Sequence, residues 1–238
     1  MVIANVTDSK KKKISIIIPA LNEEEGIERT IKSIPVTELE QMNYEVEILV
    51  VDNGSTDRTG ELARKAGAKV VYETKRGYGS AYKTGFANAT GEILTTADAD
   101  ASYPNEEIPK FVQILEQDNL DFITTNRFAN MDKEAMPVTN RFGNFVLNIA
   151  CRVLFQVDIK DSQSGMWIFK KKILDSAVLK SDGMPLSEEL KLEACYFIKC
   201  RWKELPIHYR ARIGRVKLRA FRDGFENLFY LFKKRISR

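Results

Sequence analysis

Five short apolar runs, each but the last followed by a segment patterned as a helix, fill residues 14–127. No other feature restricts the fold as much. The runs are "ISIII" (14–18), "YEVEILVVD" (44–52), "AKVVYE" (68–73), "EILTTADAD" (92–100) and "LDFITTNR" (120–127). Between the first two lies "NEEEGIERTIKSI", with Ile27, Ile31 and Ile34 at helical spacing and Asn22 placed to cap. A turn with a short helix ending near Gly67, a Gly-rich loop running into a helix, and "NEEIPKFVQILEQD" follow in turn. Strands rich in β-branched residues without polar alternation are covered on both faces. The alternation therefore predicts an α/β domain with a mostly parallel sheet and helices on both sides.

Such sheets hold ligands beyond the carboxyl ends of their strands. Polar groups collect there: Pro19 to Glu23 after the first run, Asp52 to Ser55 after the second, Asp98 and Asp100 after the fourth, Asn126 and Arg127 after the fifth. Past residue 127 a loop, "FANMDKEAMPVT", leads to a helix near 140–155 and a short strand inside "DIKDSQSGMWIFKK". A helix near 187–200 and a strand over "WKELPIHYRAR" follow. In the tail, Phe221, Phe225, Leu228, Phe229, Phe232 and Ile236 share one helical stripe. No repeat, low-complexity segment or linker divides the chain, so a single domain is expected.

Composition removes several function classes. Cys151, Cys195 and Cys200 have no disulfide or zinc spacing and read as free thiols of a reducing compartment. His208 is the one histidine, which argues against a His-based metal site or a Ser-His-Asp triad. No run of about 18 apolar residues is present, so no transmembrane helix is expected, and no secretory signal is read at the start. The net charge is +4, yet residues 210–238 carry ten Lys/Arg against Asp223 and Glu226. A tail of +8 on an otherwise acidic chain suggests an anionic partner: a phosphate, a lipid headgroup or nucleic acid. The absence of an aromatic-interleaved platform or helix-turn-helix argues against nucleic acid.

Four constellations carry chemistry. Asp98 and Asp100 offer hard oxygens to Mg²⁺ or Mn²⁺, which one or two carboxylates and substrate phosphates commonly hold; the same dipeptide spacing also fits a solvated turn. "KRGYGSAYKTG" resembles a phosphate loop but is neither GxGxxG nor a Walker A pattern, and alone it is a tight turn before a helix. Glu23 and Asp52 are placed to accept from a base or a ribose, or to cap helices. Arg212, Arg215 and Lys217 flank Gly214 in a cationic segment able to close over a diphosphate, or to form a surface patch.

Together, "SIIIPALNEEEGI", "ILVVDNGSTDRT", "RGYGSAYKTGFANATGEILTTADADASYP" and "SQSGMWIFKK" resemble the inverting family 2 glycosyltransferases of the GT-A fold. Within that family the pattern is similar to the polyprenyl-phosphate sugar transferases, the dolichyl-phosphate mannose and glucose synthases. "RFGNFVLN", "DSQSGMW", "EELKLEA" and "KELPIHYRARIGRVKL" extend the likeness to about residue 220.

The resemblance implies a GT-A domain over 14–217, with a nucleotide-sugar half (14–130) and an acceptor half (131–217). A basic segment (1–13) would precede it, and a basic amphipathic tail (218–238) would follow. It implies a nucleotide site of Pro19, Leu21, Glu23, Asp52, Lys75, Gly79 and Asp98. Asp98 and Asp100 would serve sugar, nucleotide and metal. Arg127, Arg141 and Asn144 would meet the acceptor phosphate. Gln163, Ser164 and Gly165 would lie near the sugar, and Glu189 occupies the family's helix-acid position. Arg212 and Lys217 would cover the diphosphate. This chain departs from the usual pattern at Asn53 and Val216, where the family commonly has Asp and Ser, and at Ser102, where the mannose synthases commonly have Gln, and the C-terminal transmembrane pair of many relatives is not expected here.

The resulting expectation is an enzyme moving a sugar from a UDP- or GDP-sugar to a polyprenyl or dolichyl phosphate, dependent on Mg²⁺ or Mn²⁺. It would sit at the cytoplasmic face of a membrane, held peripherally by its tail. The Phe stripe reads equally as membrane anchor, as core or as a homodimer seam. One alternative is a family 2 enzyme acting on a glycan hydroxyl with Glu189 as base. Another is a non-catalytic nucleotide- or membrane-binding protein.

Overall fold

A computed structural model of the chain describes residues 11–217 and 220–237. The basic segment expected over 1–13 therefore lies outside the described residues up to position 10, as do Leu218 and Arg219 of the tail. Seven strands form one sheet: β1 (Lys12–Ala20), β2 (Tyr44–Asp52), β3 (Lys69–Tyr72), β4 (Ile93–Thr96), β5 (Phe122–Met131), β6 (Trp167–Lys170) and β7 (Trp202–Tyr209). Their order is β3-β2-β1-β4-β6-β5-β7, and every neighbouring pair is parallel except those made by β6, which runs against β4 and β5. The helices are α1 (Ile27–Lys32), α2 (Val36–Gln41), α3 (Thr59–Lys65), α4 (Tyr78–Asn88), α5 (Ile108–Gln117), α6 (Val138–Phe155), α7 (Leu186–Leu192) and α8 (Ala220–Ile236).

β1 shows why the sheet needs cover on both sides. Ile14, Ile16 and Ile18 join a core layer with Ile27 and Ile31 of α1, Leu39 of α2 and Phe111 of α5. Ile17 joins the opposite layer, with Tyr82 and Phe86 of α4 and Trp167 of β6. Each of these isoleucines in β1 is fully buried, a gain of about 1.5–3 kcal/mol apiece. The second layer also holds Leu147 and Phe155 of α6 and Leu231 of α8, so the tail helix packs as part of the domain.

The elements differ from the sequence expectation in several places. β4 stops at Thr96, so Asp98 and Asp100 sit in the turn beyond it, where Ala101 takes φ 59°. β5 continues through the expected loop to Met131, because β7 keeps pairing with it (Asn130 opposite His208) after a register shift. The helix expected over 187–200 is α7 followed by a wider π-turn at Glu193–Phe197. α1 begins at Ile27 with no side-chain cap, while Asn22 (φ 51°) accepts from the Thr56 amide and donates its own amide to Ser55 Oγ. Asn22 thus ties two strand-end loops together.

Candidate active site

A cavity of about 460 Å³ opens beyond the carboxyl ends of β1 and β4 and extends between α6 and α8. Parallel pairing sets Ile17 opposite Thr96, so the segments after these strands leave the sheet side by side. Pro19, Leu21 and Glu23 line the cavity from the first, Asp98 and Asp100 from the second, Arg212 and Lys217 from the segment after β7. Gly26 permits the close approach: a Cβ there would lie 2.7 Å from Ala99 O and 3.0 Å from Asp100 Cα.

The two acids have different surroundings. Asp100 is buried, and its Oδ1 accepts from the Ser102 amide (3.0 Å) and hydroxyl (2.6 Å). Ser102 thereby orients Asp100. Asp100 Oδ2 lies 3.5 Å from Arg212 Nη1. Among the described residues nothing donates a hydrogen bond to Asp98. Burial, and then the neighbouring Asp100, push its carboxyl up to about 7. A Cβ at Gly165 would stand 3.4 Å from Asp98 Oδ1 and 2.8 Å from Tyr78 Oη, so glycine keeps the space beside this carboxylate open.

Two crowded carboxylates, one without a donor and facing open space, fit a divalent cation. Among the described residues no cluster of three or more His, Cys, Asp or Glu side chains forms a metal cage. Asp98 and Asp100 would hold such an ion with phosphate oxygens and water completing its shell.

The opposing cations are held in place. The amides of Arg210 and Ile213 donate to Ser102 O and Asp100 O, fastening the segment after β7 above the acid turn. Arg212 Nη2 donates to Glu23 Oε1 (3.0 Å); Lys217 Nζ lies 2.5 Å from the same oxygen and donates to Asn22 O. Burial raises the Glu23 carboxyl, and Lys217 and Arg212 only partly pull it back. Arg212 Nε is buried with no acceptor. An orphaned buried donor costs on the order of 1–3 kcal/mol, and more when it is charged, which fits a site built for an anion.

Other expected residues fall differently. Arg127 lines the cavity, but its guanidinium is committed bidentately to Asp161 (2.7 and 2.8 Å). Burial works to raise Asp161, and Arg127 outweighs it, holding the acid below the usual carboxylate range. Arg141 is not in the wall: it donates to Met136 O and Lys133 O and pins the loop before α6. Asn144 is in the wall, with Nδ2 on Met136 Sδ. Gln163 and Gly165 line the cavity; Ser164 lies behind them, bonded to Thr125 Oγ1 at 2.6 Å.

Asp52 does not line the cavity: its Oδ1 accepts from the Ser55 amide, and Oδ2 would lie 2.8 Å from a Cβ at Gly60 of α3. Its neighbour Asn53 does, donating Nδ2 to Glu73 O and Lys75 O while Oδ1 accepts from the Gly77 amide. An ionised aspartate there could not make those two donations. Lys75 and Lys83 both pair with Asp182. Gly77 (φ 148°) and Gly79 make room for the chain's own backbone: a Cβ would meet Asp182 O at 2.1 Å and Ser181 O at 2.5 Å. The Ser80 amide already donates to Asp182 O. Those glycines are used for close packing, and neither Lys75 nor Gly79 lines the cavity.

Glu189 is fully buried outside the cavity wall. It accepts from the amides of Lys180 and Ser181, from Tyr230 Oη and from Lys234 Nζ (3.2 Å). With its oxygens engaged this way, it is a fastener for α8, and nothing in its surroundings favours a base acting on a sugar hydroxyl. The residue before it, Glu188, faces the site loop and accepts from Gln163 Nε2 at 2.8 Å. Sequence patterning missed Glu188 and, on α8, Asn227, and singled out Asn53 only as a departure from the family pattern.

Of the α8 stripe only Leu228 packs, partly, against the core. Phe221, Phe225, Phe229, Phe232 and Ile236 are exposed, whereas Asn227, Leu231 and Lys234 face inward. α6 adds exposed Val138, Phe142, Phe145, Ile149 and Val153. Among the described residues no helix is long and apolar enough to cross a membrane.

A family model described as Glycosyl transferase family 2 matches residues 15–177. The chain is 31% identical over 220 residues to a low-salt glycan biosynthesis hexosyltransferase of Haloferax volcanii, covering 92% of this chain and 52% of that one. It is 31% identical over 215 residues to a dolichyl-phosphate hexose transferase of the same organism, covering 89% of each. The chain thus spans about half the length of the first relative and most of the second. Among solved structures, a Mycobacterium tuberculosis glucosyl-3-phosphoglycerate synthase with Mn²⁺, UDP and phosphoglyceric acid superposes with a TM-score of 0.72 over 95% of this chain and 79% of that one. At 21% identity it is a likeness of fold, the GT-A arrangement expected from the sequence.

Proposed function

The chain belongs to glycosyl transferase family 2, and from that membership we propose that it moves a hexosyl group from a UDP- or GDP-sugar to a polyprenyl phosphate at a membrane surface. The observation that carries the acceptor assignment is the cavity's second wall. Asn144 and Leu147 of α6 and Gly224 and Asn227 of α8 form it, and these two helices expose apolar side chains on their outer faces. A lipid phosphate entering between them would keep its chain against apolar surface while its head met the cavity. Amphipathic helices with basic flanks bind interfaces in this way.

In this reading Pro19, Leu21 and Glu23 border the nucleoside, and Asp98 and Asp100 face the donor diphosphate. A divalent ion held there would supply Lewis-acid stabilisation of the leaving diphosphate. Arg212, with its unpaired Nε–H, and Lys217 would leave Glu23 for the diphosphate oxygens and neutralise charge as the bond to the anomeric carbon breaks. The acceptor needs no protein base: the second pKa of a phosphate monoester is near 6, so it is already nucleophilic at neutral pH. Arg127, fixed by Asp161, and Asn144 orient it for attack from the face opposite the leaving group, which inverts the sugar.

The test is a screen of UDP- and GDP-hexoses with Mg²⁺ or Mn²⁺ against a short polyprenyl phosphate, a soluble phosphate monoester and a free glycan, with products identified by mass spectrometry. Transfer to the polyprenyl phosphate supports the reading. Transfer confined to the soluble phosphate or the glycan overturns it.

A further inference from the structure

α8 reads from its outer face as an anchor, yet its inner face reaches the cavity. Asn227 lies on that face, buried to 4% exposure and part of the cavity wall. Its Nδ2 donates to Gln163 Oε1 at 3.0 Å, and Gln163 Nε2 donates to Glu188 Oε2 at 2.8 Å. With Glu188 Oε2 accepting, Gln163 turns its NH₂ toward Glu188 and its oxygen toward α8, where the Asn227 amide donates to it. Gln163 stands two residues before Gly165, the residue that borders Asp98. The Asn227 clamp therefore sets the part of the wall nearest the acid pair.

The same network is left incomplete. Asn227 Oδ1 is buried with no hydrogen-bond donor, and so is Glu188 Oε1. A buried acceptor without a donor is costly, and native chains keep such atoms where a ligand or ordered water completes them. The missing complement is a hydroxyl-type donor, and a hexose brought beside Asp98 carries several.

We propose that Asn227 makes α8 a part of the sugar site: its Nδ2 fixes Gln163, and its Oδ1 accepts a hydroxyl of the transferred hexose. This rests on the transferase reading above and gives the tail a second role besides membrane contact.

Two substitutions in the full-length chain separate the roles. N227L keeps the side-chain size and removes both polar contacts. It should lower kcat/KM for the nucleotide sugar at least thirtyfold. N227D keeps an acceptor but loses the donor. As the pH falls from 8 to 5.5 its new carboxyl takes up a proton, and the O–H replaces the Nδ2–H toward Gln163. Its activity relative to wild type at the same pH should rise at least tenfold over that range, a readout that a merely structural role would not move. Hydrogen–deuterium exchange of the 161–165 segment supplies a readout independent of turnover, and N227L should speed it at least tenfold. Wild-type transfer with N227L within threefold of it, a pH-independent N227D ratio, or unchanged exchange would each overturn the role of Asn227. A wild type that transfers no sugar in the donor screen would instead overturn the transferase reading, and the exchange experiment would still decide whether the clamp exists.

Discussion

Asp98→Asn should stabilise the metal-free protein while removing its activity. The folded chain holds a proton on Asp98 up to about pH 7, whereas the unfolded chain releases it near 3.8. The folded value is the raised one. The contribution of this group is therefore complete below about pH 4, is lost as the pH climbs toward 7, and is absent above it. Each tenfold difference in proton affinity is about 1.36 kcal/mol, so the ceiling is about 4 kcal/mol. Asp98 borders an open cavity where solvent screens its neighbours, and about 1–3 kcal/mol is the expected gain at pH 8. Urea unfolding with a chelator present, followed by the fluorescence of Trp167 and Trp202, measures it. The gap between variant and wild type should widen from pH 5 to pH 8. Manganese at pH 8 should raise the wild-type midpoint and leave the variant unmoved. A variant no more stable than wild type at pH 8 without metal would refute the view that Asp98 and Asp100 form a charge-crowded site awaiting a cation.

Three further outcomes follow from the contacts described. Glu189→Gln should keep turnover with a lipid-phosphate acceptor, which steady-state kinetics will show, while lowering stability by about 1–3 kcal/mol through weakened bonds to Lys234 and the Lys180 and Ser181 amides; Asp100→Ala, in contrast, should abolish turnover. Lys234→Ala leaves the buried Glu189 and Glu193 without their shared ammonium group and should cost about 3–5 kcal/mol in urea unfolding. Asn53→Asp loses two donations to the 73–75 backbone and should raise KM for the nucleotide sugar with a smaller change in kcat, accompanied by about 1–3 kcal/mol of lost stability.

Much of the architecture is local information. The apolar runs at Ile14–Ile18 and at 48–51 lack a regular polar alternation, so each had to lie inside a two-sided sheet. The Gly, Pro and Asn residues between runs mark where the chain turns. Since such turns at carboxyl ends lie on one edge, the sequence alone placed Asp98, Asp100 and Glu23 on a common rim. Arg127, expected at the end of the fifth strand, lies within β5, and the segment of Arg212 and Lys217 reads as either a cover or a surface patch without the family resemblance. What local pattern could not supply is which of two adjacent polar residues faces the cavity. Asp52 turns to Gly60 and Ser55, while Asn53 faces the cavity because the backbone at 73–77 needs its donors and acceptor. Glu189 turns away from the cavity because Lys234, 45 residues later, meets it in the core, leaving Glu188 to the site loop. The glycines at 77 and 79 suggested a phosphate loop, yet Ser181 and Asp182 occupy the space they leave. The tail's helical period was legible and its facing was not. Phe225 and Phe229 are the more hydrophobic face, but Leu231, Asn227 and Lys234 have partners inside, and burial follows available partners rather than the hydrophobic stripe alone. Strand and helix period are properties of a few consecutive residues. The direction of a buried polar side chain is set by whichever distant group can pair with it, and only the folded chain brings that group near.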